Sequence, residues 1–389
     1  MQERSGTAEG EGRRYPLQGR LDDRFAPVWD AFADNFARGE EGGASFAVAI
    51  DGRIAIDLWA GFRDIAQTQA WEENTICNAM SVGKAMAATC LHMLVDRGQV
   101  DLDAPVARYW PQFAAGGKER VLVRHALAHT AGVPGLKRRF SHDELLDGRA
   151  MTAALADEDP WWPPGARLAY HAFTFGWLGG ELIRRVDGRS PGRFLAEEIV
   201  SPLRLAAWIG LPESHDRRVA RLVPASGYGI TYLGDDPEPL LAAVYGNGLG
   251  SFRWNEPPFR RVEIAAANGI ADARSVARLY GCLACGGELD GVRLLAPGTV
   301  ALAAHELSRD RCAVTRRPYA YGAGFELQTE LARFGPVADA FGHTGSGGST
   351  HGAWPSRRTG FSYLMSELRT EAEDGRGPSV LQALAEALG

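Results

Sequence analysis

The spacing of apolar residues divides this chain into β-rich ends around a helical middle. Phe25, Val28, Trp29, Phe32 and Phe36 share one stripe and predict an amphipathic helix over residues 22–38. Two β-rich runs follow, residues 45–50 and 53–59, flanking Asp51-Gly52, which is a strong hairpin signal. Residues 81–100 read as a long helix that stops at Gly98. Helical spacing returns over residues 123–127, 141–156, 173–187, 191–202, 273–286 and 297–305. In the last ninety residues or so the period changes again: residues 321–329, 337–343 and 360–366 read as strands. A closing helix over residues 378–388 sets Val380, Leu381, Leu384 and Leu388 on one side. Residues 1–18 show no such pattern and are expected to be a loose, flexible arm. Residues 213–263 mix Gly, Pro and aromatics without a period, as a pocket wall or lid does. The order predicts an α/β (α+β) protein. Its sheet would be built from both termini, residues 19–100 and 295–389, with a mostly helical domain inserted over residues 101–294.

Composition narrows the class without naming an activity. A chain of 389 residues, 45% apolar and 23% charged, is long enough for two or three domains and a sizeable core. Its net charge of −6 gives no electrostatic case for nucleic acid or an anionic membrane. Residues 1–14 are polar and lack the apolar run of a signal peptide, and no run of about 18 apolar residues occurs. The five cysteines are an odd number, which fits reduced thiols and a cytoplasmic home. Cys282 and Cys285 form C-x-x-C, but no second pair is spaced to complete a zinc site, and both fall within a helical pattern as small core residues. Nothing in the sequence calls for a metal or a cofactor, and oligomeric state is left open.

Three stretches carry candidate chemistry. Ser81-Val82-Gly83-Lys84 sets a hydroxyl and an amine one helical turn apart on one face. A neutral amine there can take the serine proton, whereas a helix-capping Ser and a surface Lys would give the same tetrapeptide. Tyr170 lies where a Pro-Gly loop runs into a helix, and a phenol held between cations can serve as a second proton relay. Residues 341–348 hold His343, Thr344, Gly345, Ser346 and Gly347 in a glycine-dense run at a strand end. Such a run lets a substrate approach backbone N–H groups, although a plain hairpin turn has the same composition.

In this order the three stretches resemble the serine β-lactamase and penicillin-binding-protein superfamily, and within it the class C-related family VIII carboxylesterases. Ser81 to Lys84 match its S-x-x-K, Tyr170-His171-Ala172 falls where the family has Tyr-x-Asn or Tyr-x-Ser, and His343-Thr344-Gly345 falls where it has Lys-Thr-Gly. The stretches 98–106, 123–134 and 272–280 also fit, so the resemblance spans about residues 20–388. It implies an antiparallel sheet flanked by helices and an active site at the domain interface. Ser81 would be the nucleophile that carries the acyl group, with Lys84 and Tyr170 sharing its proton. Ser81 and Ser346, or a glycine such as Gly347 beside it, would supply oxyanion N–H groups, and His343 and Gly345 would contact substrate.

Two departures bear on substrate. Ala172 has no side-chain amide to offer, and His343, mostly neutral near pH 7, replaces a fixed cation. Both point to small or medium neutral esters as the small-molecule substrate. Acyl transfer to another nucleophile, β-lactam, amide or D-amino-peptide hydrolysis, and a non-catalytic binding role stay open beside that reading. Other marked residues have plainer explanations. Ser190 in Gly188-Arg189-Ser190-Pro191-Gly192 reads as a helix cap rather than a nucleophile elbow, because a helix precedes it. His129 is expected to tie down backbone groups, and His171 to be pocket wall or surface. The glycines of residues 246–250 are too loosely spaced for a phosphate loop. Trp161, Trp162, Trp254 and Tyr228 are candidates for an acyl pocket or for core.

Overall fold

The computed structural model describes every residue except 11, 227, 229–237, 248–252 and 371–373. Labelled in chain order, the elements that position the site begin with β1 (Gln2–Gly10), β2 (Arg13–Leu21), α1 (Ala26–Ala37), β3 (Gly43–Ile50), β4 (Arg53–Gly61) and α2 (Val82–Asp96). They continue with α3 (Thr174–Asp187), α4 (Ala273–Ala284), β5 (Ser308–Arg311), β6 (Pro318–Tyr321), β7 (Glu326–Leu327) and β8 (Phe341–Gly345). The last are β9 (Ser349–Trp354), β10 (Thr359–Met365) and α5 (Arg376–Leu388). The ten strands form one antiparallel sheet in the order β1-β2-β4-β3-β10-β9-β8-β7-β6-β5. Strands from both ends of the chain meet at its centre, where β10 pairs with β3 from Thr359↔Ile50 to Met365↔Ala44. The α/β architecture expected from the two periodicities is therefore present.

The β3–β4 hairpin turns on Asp51 and Gly52, at φ +49° and +77°. Two consecutive left-handed residues are what a two-residue hairpin with native strand twist demands, and Asp-Gly tolerates them. Side chains then leave β10 alternately. Tyr363 packs edge-on against Phe32 of α1, with ring centroids 6.1 Å apart. On the opposite face α4 packs against β3, β9 and β10. Asn35, Phe36, Val380, Leu381 and Leu384 are buried where α1 and α5 meet the sheet. Between β4 and β5 the chain is mainly helical, with α2 packed against α3 and a small sheet of Cys77–Asn78, Gly269–Ala271 and Ala207–Ile209. Among the described residues no helix is long and apolar enough to cross a membrane.

Several expectations need correction. Residues 1–18 are not a loose arm. β1 and β2 pair from Gln2↔Leu21 to Gly10↔Arg13, and β2 pairs onward with β4. The pattern hid because only Ala8, Gly10, Tyr15, Leu17, Gly19 and Leu21 point inward, between exposed Arg, Glu and Gln. The strand expected over 321–329 breaks at Gly322–Gly324, leaving β6 and the two-residue β7, and the one expected at 337 starts at Phe341. β5 and β9 were not anticipated: β5 is nearly all charged, and β9 is buried on both faces and so does not alternate. The helix expected over 141–156 is two, His142–Leu146 and Gly148–Asp157, because the Asp147 carboxylate accepts from the N–H groups of Arg149 and Ala150. Residues 213–263 contain helices Pro239–Tyr245 and Pro257–Arg261, and the rest of that segment, including residues 248–250 of the glycine run, lies partly outside the described residues.

Tyr15 makes the N-terminal hairpin part of the core. It is 3% exposed, and its ring lies 5.4 Å from that of Phe36 and 6.2 Å from that of Phe62. Tyr15→Ala should lower unfolding free energy by about 3 kcal/mol in urea melts, as other aromatic truncations in cores do. A change within about 0.5 kcal/mol, the range of surface substitutions, would mean that the hairpin is dispensable.

Candidate active site

Ser81 sits at the N-terminus of α2 with φ −67° and ψ −4°, already helical, and its side chain caps no backbone N–H. A capping serine would be extended and would accept from the second or third helical N–H. Its hydroxyl is engaged elsewhere: Oγ lies 3.1 Å from Lys84 Nζ and accepts from the Tyr170 hydroxyl at 2.8 Å. The residue before it, Met80, has φ +53°, an unusual conformation for a non-glycine residue, and its N–H donates to Asn78 Oδ1. Such strain persists only where the surroundings enforce it.

Lys84 is fully buried. Its amine donates to the carbonyl oxygens of Ala172 (2.9 Å) and Ala266 (2.8 Å), and it sits 4.7 Å from the centroid of the Tyr170 ring. Among the described residues no carboxylate pairs with it. Burial without a counter-charge pushes its pKa well below the usual lysine value. A neutral amine has two N–H donors and one lone pair. The two carbonyls take the donors, so the lone pair is left facing Ser81 Oγ. Tyr170 gives its proton toward the same oxygen, so Ser81 is set to release its own proton to Lys84.

Close packing delivers those carbonyls. A Cβ on Gly83 would come within 2.5 Å of Ala265 O, and one on Gly269 within 2.5 Å of Gly83 N. Only glycine at both positions lets the 265–269 segment press on the first turn of α2 and bring Ala266 O onto Lys84. The second carbonyl comes from Ala172, beside Tyr170 at the entry to α3.

His343 lies on β8, 2% exposed, with Nδ1 2.7 Å from the carbonyl of Thr344. That bond sets the tautomer with the proton on Nδ1. Burial, and then the nearby Lys84, lower its pKa to about 3, so it is neutral at ordinary pH. Gly345 ends β8 against the Ala79 carbonyl, and exposed Ser346 shares a 2.6 Å hydrogen bond with the Tyr228 hydroxyl. Gly347, at φ +97°, gives its carbonyl to Arg376 Nη2 at 2.8 Å.

Ser81, Tyr170, Ala172, His343 and Ser346 all line one cavity. Its walls are largely aromatic: Phe173, Tyr228, Tyr245, Trp254, Tyr319 and Tyr321. The charged side chains that reach it, among the described residues, are Arg317 and Glu326, one of each sign. Of the four aromatics singled out earlier, Trp254 and Tyr228 line the cavity, while Trp161 packs with Lys137 at 5.3 Å and Trp162 with Arg167 at 5.1 Å, away from it. His129 is buried at φ +59°, and its Nδ1 accepts from the His171 N–H at 3.0 Å, a backbone tie. His171 is fully buried and not surface. Ser190 accepts from Arg193 N–H as a helix cap and donates to Glu263, which leaves no role as a nucleophile elbow.

Sequence reasoning missed the Ala266 carbonyl and the pair Tyr319 and Tyr321. A carbonyl has no sequence signature. The tyrosines did leave one, since residues two apart on a strand share a face, and their rings stack at 5.6 Å.

Comparisons with known proteins agree with this geometry. Residues 28–385 match the family model described as Beta-lactamase. The chain is 36% identical over 365 residues to the esterase/beta-lactamase LipL of Mycobacterium tuberculosis, covering 91% of this chain and 83% of that protein. A crystal structure of a family VIII carboxylesterase superposes with a TM-score of 0.89 at 37% identity, covering 95% of this chain and 99% of the other. A penicillin-binding protein homolog from Caulobacter crescentus superposes with the same TM-score at 38% identity and the same coverage.

Gly83→Ala tests the packing argument by its sign. In an ordinary helix interior this change stabilises by about 0.8–1 kcal/mol. Here it should destabilise by about 1–3 kcal/mol in denaturant melts, because the added methyl meets backbone that has to move. A stabilised variant would show that the 265–269 contact does not constrain α2.

Proposed function

This chain belongs to the β-lactamase family and is a serine hydrolase of its esterase-containing branch, and from that premise we propose that it is a carboxylesterase on small to medium neutral esters. One observation carries the proposal: Ser81 Oγ stands between a buried amine and a phenol, at 3.1 and 2.8 Å, beside an aromatic cavity. In the proposed reaction Ser81 Oγ attacks the ester carbonyl as Lys84 takes its proton. The backbone N–H groups of Ser81 and Ser346 hold the developing oxyanion, each such donor being worth about 3 kcal/mol of barrier. Tyr170, hydrogen-bonded to the same Oγ, passes a proton to the departing alkoxide as the carbon–oxygen bond breaks. Water then attacks the acyl-Ser81 carbonyl and gives a proton to the Tyr170 phenolate, and the Ser81 oxygen leaves with the proton held by Lys84, which releases the acid and resets all three groups.

The neutral-ester preference rests on charge. His343 brings no cation, and the carboxylate at the wall, Glu326, is already paired with Arg333 at 3.2 Å, so the reading rests on the neutral His343 and the aromatic wall. Ala172 offers substrate no side-chain amide, and its carbonyl is already engaged by Lys84. The aromatic wall also favours a second reading, acyl transfer, because an apolar alcohol can outcompete water there. Product ratios with added alcohols separate the two: ester product at low alcohol concentration means transfer, and free acid alone means hydrolysis.

Intact-mass spectrometry with p-nitrophenyl acetate and butyrate should show a transient acyl adduct on Ser81. Ser81→Ala should lose turnover by at least about 10³-fold, as nucleophile deletions do. Unchanged turnover in that variant would remove Ser81 from the chemistry.

The pH profile gives a second test. Lys84 must be neutral to accept a proton, so kcat/KM should fall as pH drops through its lowered pKa. His343, already neutral down to about pH 3, contributes nothing to that limb. His343→Asn should therefore leave the position of the acidic limb unchanged. A limb between about pH 5 and 8 that disappears in this variant would assign it to histidine.

A further inference from the structure

The turn that would supply the second oxyanion donor, residues 346–348, is closed locally by one backbone hydrogen bond, from the Gly348 N–H to the Gly345 carbonyl at 3.2 Å. Gly347 and Gly348 both sit at positive φ, +97° and +118°, and glycine explores many alternatives to that geometry. Further support comes from the 369–376 segment. The Gly347 carbonyl accepts from Arg376 Nη2 (2.8 Å) and from the Arg369 N–H (3.0 Å). A Cβ on Gly348 would collide with the Asp374 carboxylate and come within 2.6 Å of Arg376 Nη2, so the turn lies flat against that ion pair.

Arg376 is fully buried, and every donor on its guanidinium has a partner. Nε and Nη2 donate to Asp374 at 2.8 and 2.7 Å. Nη1 donates to Glu41 Oε2 and to the Glu367 carbonyl, both at 2.9 Å, and more weakly to the Glu40 carbonyl at 3.2 Å. Glu41 is held in turn by the Tyr363 hydroxyl at 3.1 Å, and Tyr363 accepts from Asn35 Nδ2 at 3.1 Å. The network thus runs from α1 and the start of β3 through β10 to α5, and ends on the Gly347 carbonyl. Burial first, and then the neighbouring Glu367 and Asp374 carboxylates, push the Glu41 carboxyl up to about 7 even beside a guanidinium. Apolar residues of similar volume commonly match or exceed a buried ion pair in stability, so stability is a weak reason for it. Its planar fork has a geometric use instead: it locks one carbonyl in one place.

We propose that Arg376 is a positioning residue for catalysis, its guanidinium holding the 346–348 turn so that the Ser346 N–H points at the reacting carbonyl oxygen. This rests on the esterase reading above. The experiment compares wild type, Arg376→Met and Arg376→Lys in p-nitrophenyl butyrate turnover, in phenylboronic acid inhibition, and in acylation of Ser81 followed by mass. Methionine keeps volume without donors, and lysine keeps charge without the fork. Both should lose kcat by at least about tenfold with KM within about twofold, since misplacement of a preorganised donor by about 1 Å can cost up to 10²-fold. The boronate inhibition constant should weaken in proportion to kcat. If either variant does not fold, Asp374→Asn, which leaves the Arg376–Glu41 pair, should lower kcat by at least about threefold. Folded variants with kcat within twofold of wild type, or full activity in Arg376→Lys, would overturn the positioning role while leaving the esterase reading intact. Absence of any Ser81 adduct in the wild type would overturn both.

Discussion

The site is built around one amine whose charge burial disfavours. Lys84 is enclosed by α2, by the loop that enters α3 and by the 265–269 segment, and it meets only carbonyl oxygens, an aromatic face and a hydroxyl. A carboxylate in that shell would restore its charge, and with it the proton that blocks its use as a base. Much of the local sequence serves this exclusion. Gly83 and Gly269 permit the backbone approach that supplies Ala266 O, and the strained Met80 aims the serine into the same space. The reactive serine is thus a consequence of packing as much as of its own chemistry.

That dependence explains what could be read from the sequence. The S-x-x-K spacing, Tyr170 and the His343 run were visible because the groups that do chemistry are side chains, and side chains are letters. The β3–β4 hairpin was equally legible, because Asp51-Gly52 encodes its own turn. The parts that failed are those in which partners decide the structure. β9 carries no alternation because it is buried on both faces, and the β1–β2 hairpin shows only a thin inward stripe among charged residues. The Ala266 carbonyl and the Arg376 network are contacts between segments many tens of residues apart, one of them made by an alanine whose side chain is irrelevant. No local pattern announces such a contact.

Electrostatics around the cavity then decide the class of substrate it suits. His343 occupies the place of a cation, yet its Nδ1–H is turned to its own chain and burial keeps it neutral. A protonated Lys84 nearby pushes in the same direction. Arg317 and Glu326 line the wall among the described residues, and Glu326 is paired with Arg333 at 3.2 Å.

Two buried basic side chains therefore have opposite surroundings, and the difference follows from their chemistry. Lysine has a single nitrogen whose proton can be given up when burial is severe, and burial lowers the Lys84 pKa well below the usual lysine value. Arginine cannot give up its proton, so a buried guanidinium survives only if carboxylates and carbonyls meet all its donors. Asp374, Glu41 and three backbone oxygens do so for Arg376. The first arrangement makes a base. The second holds the Gly347 carbonyl in the 346–348 turn, whose Ser346 lines the same cavity as Ser81. Exchanging the two residue types would ruin both places: an arginine at 84 would stay charged, and a lysine at 376 would lack the fork that holds Gly347 and Asp374 together.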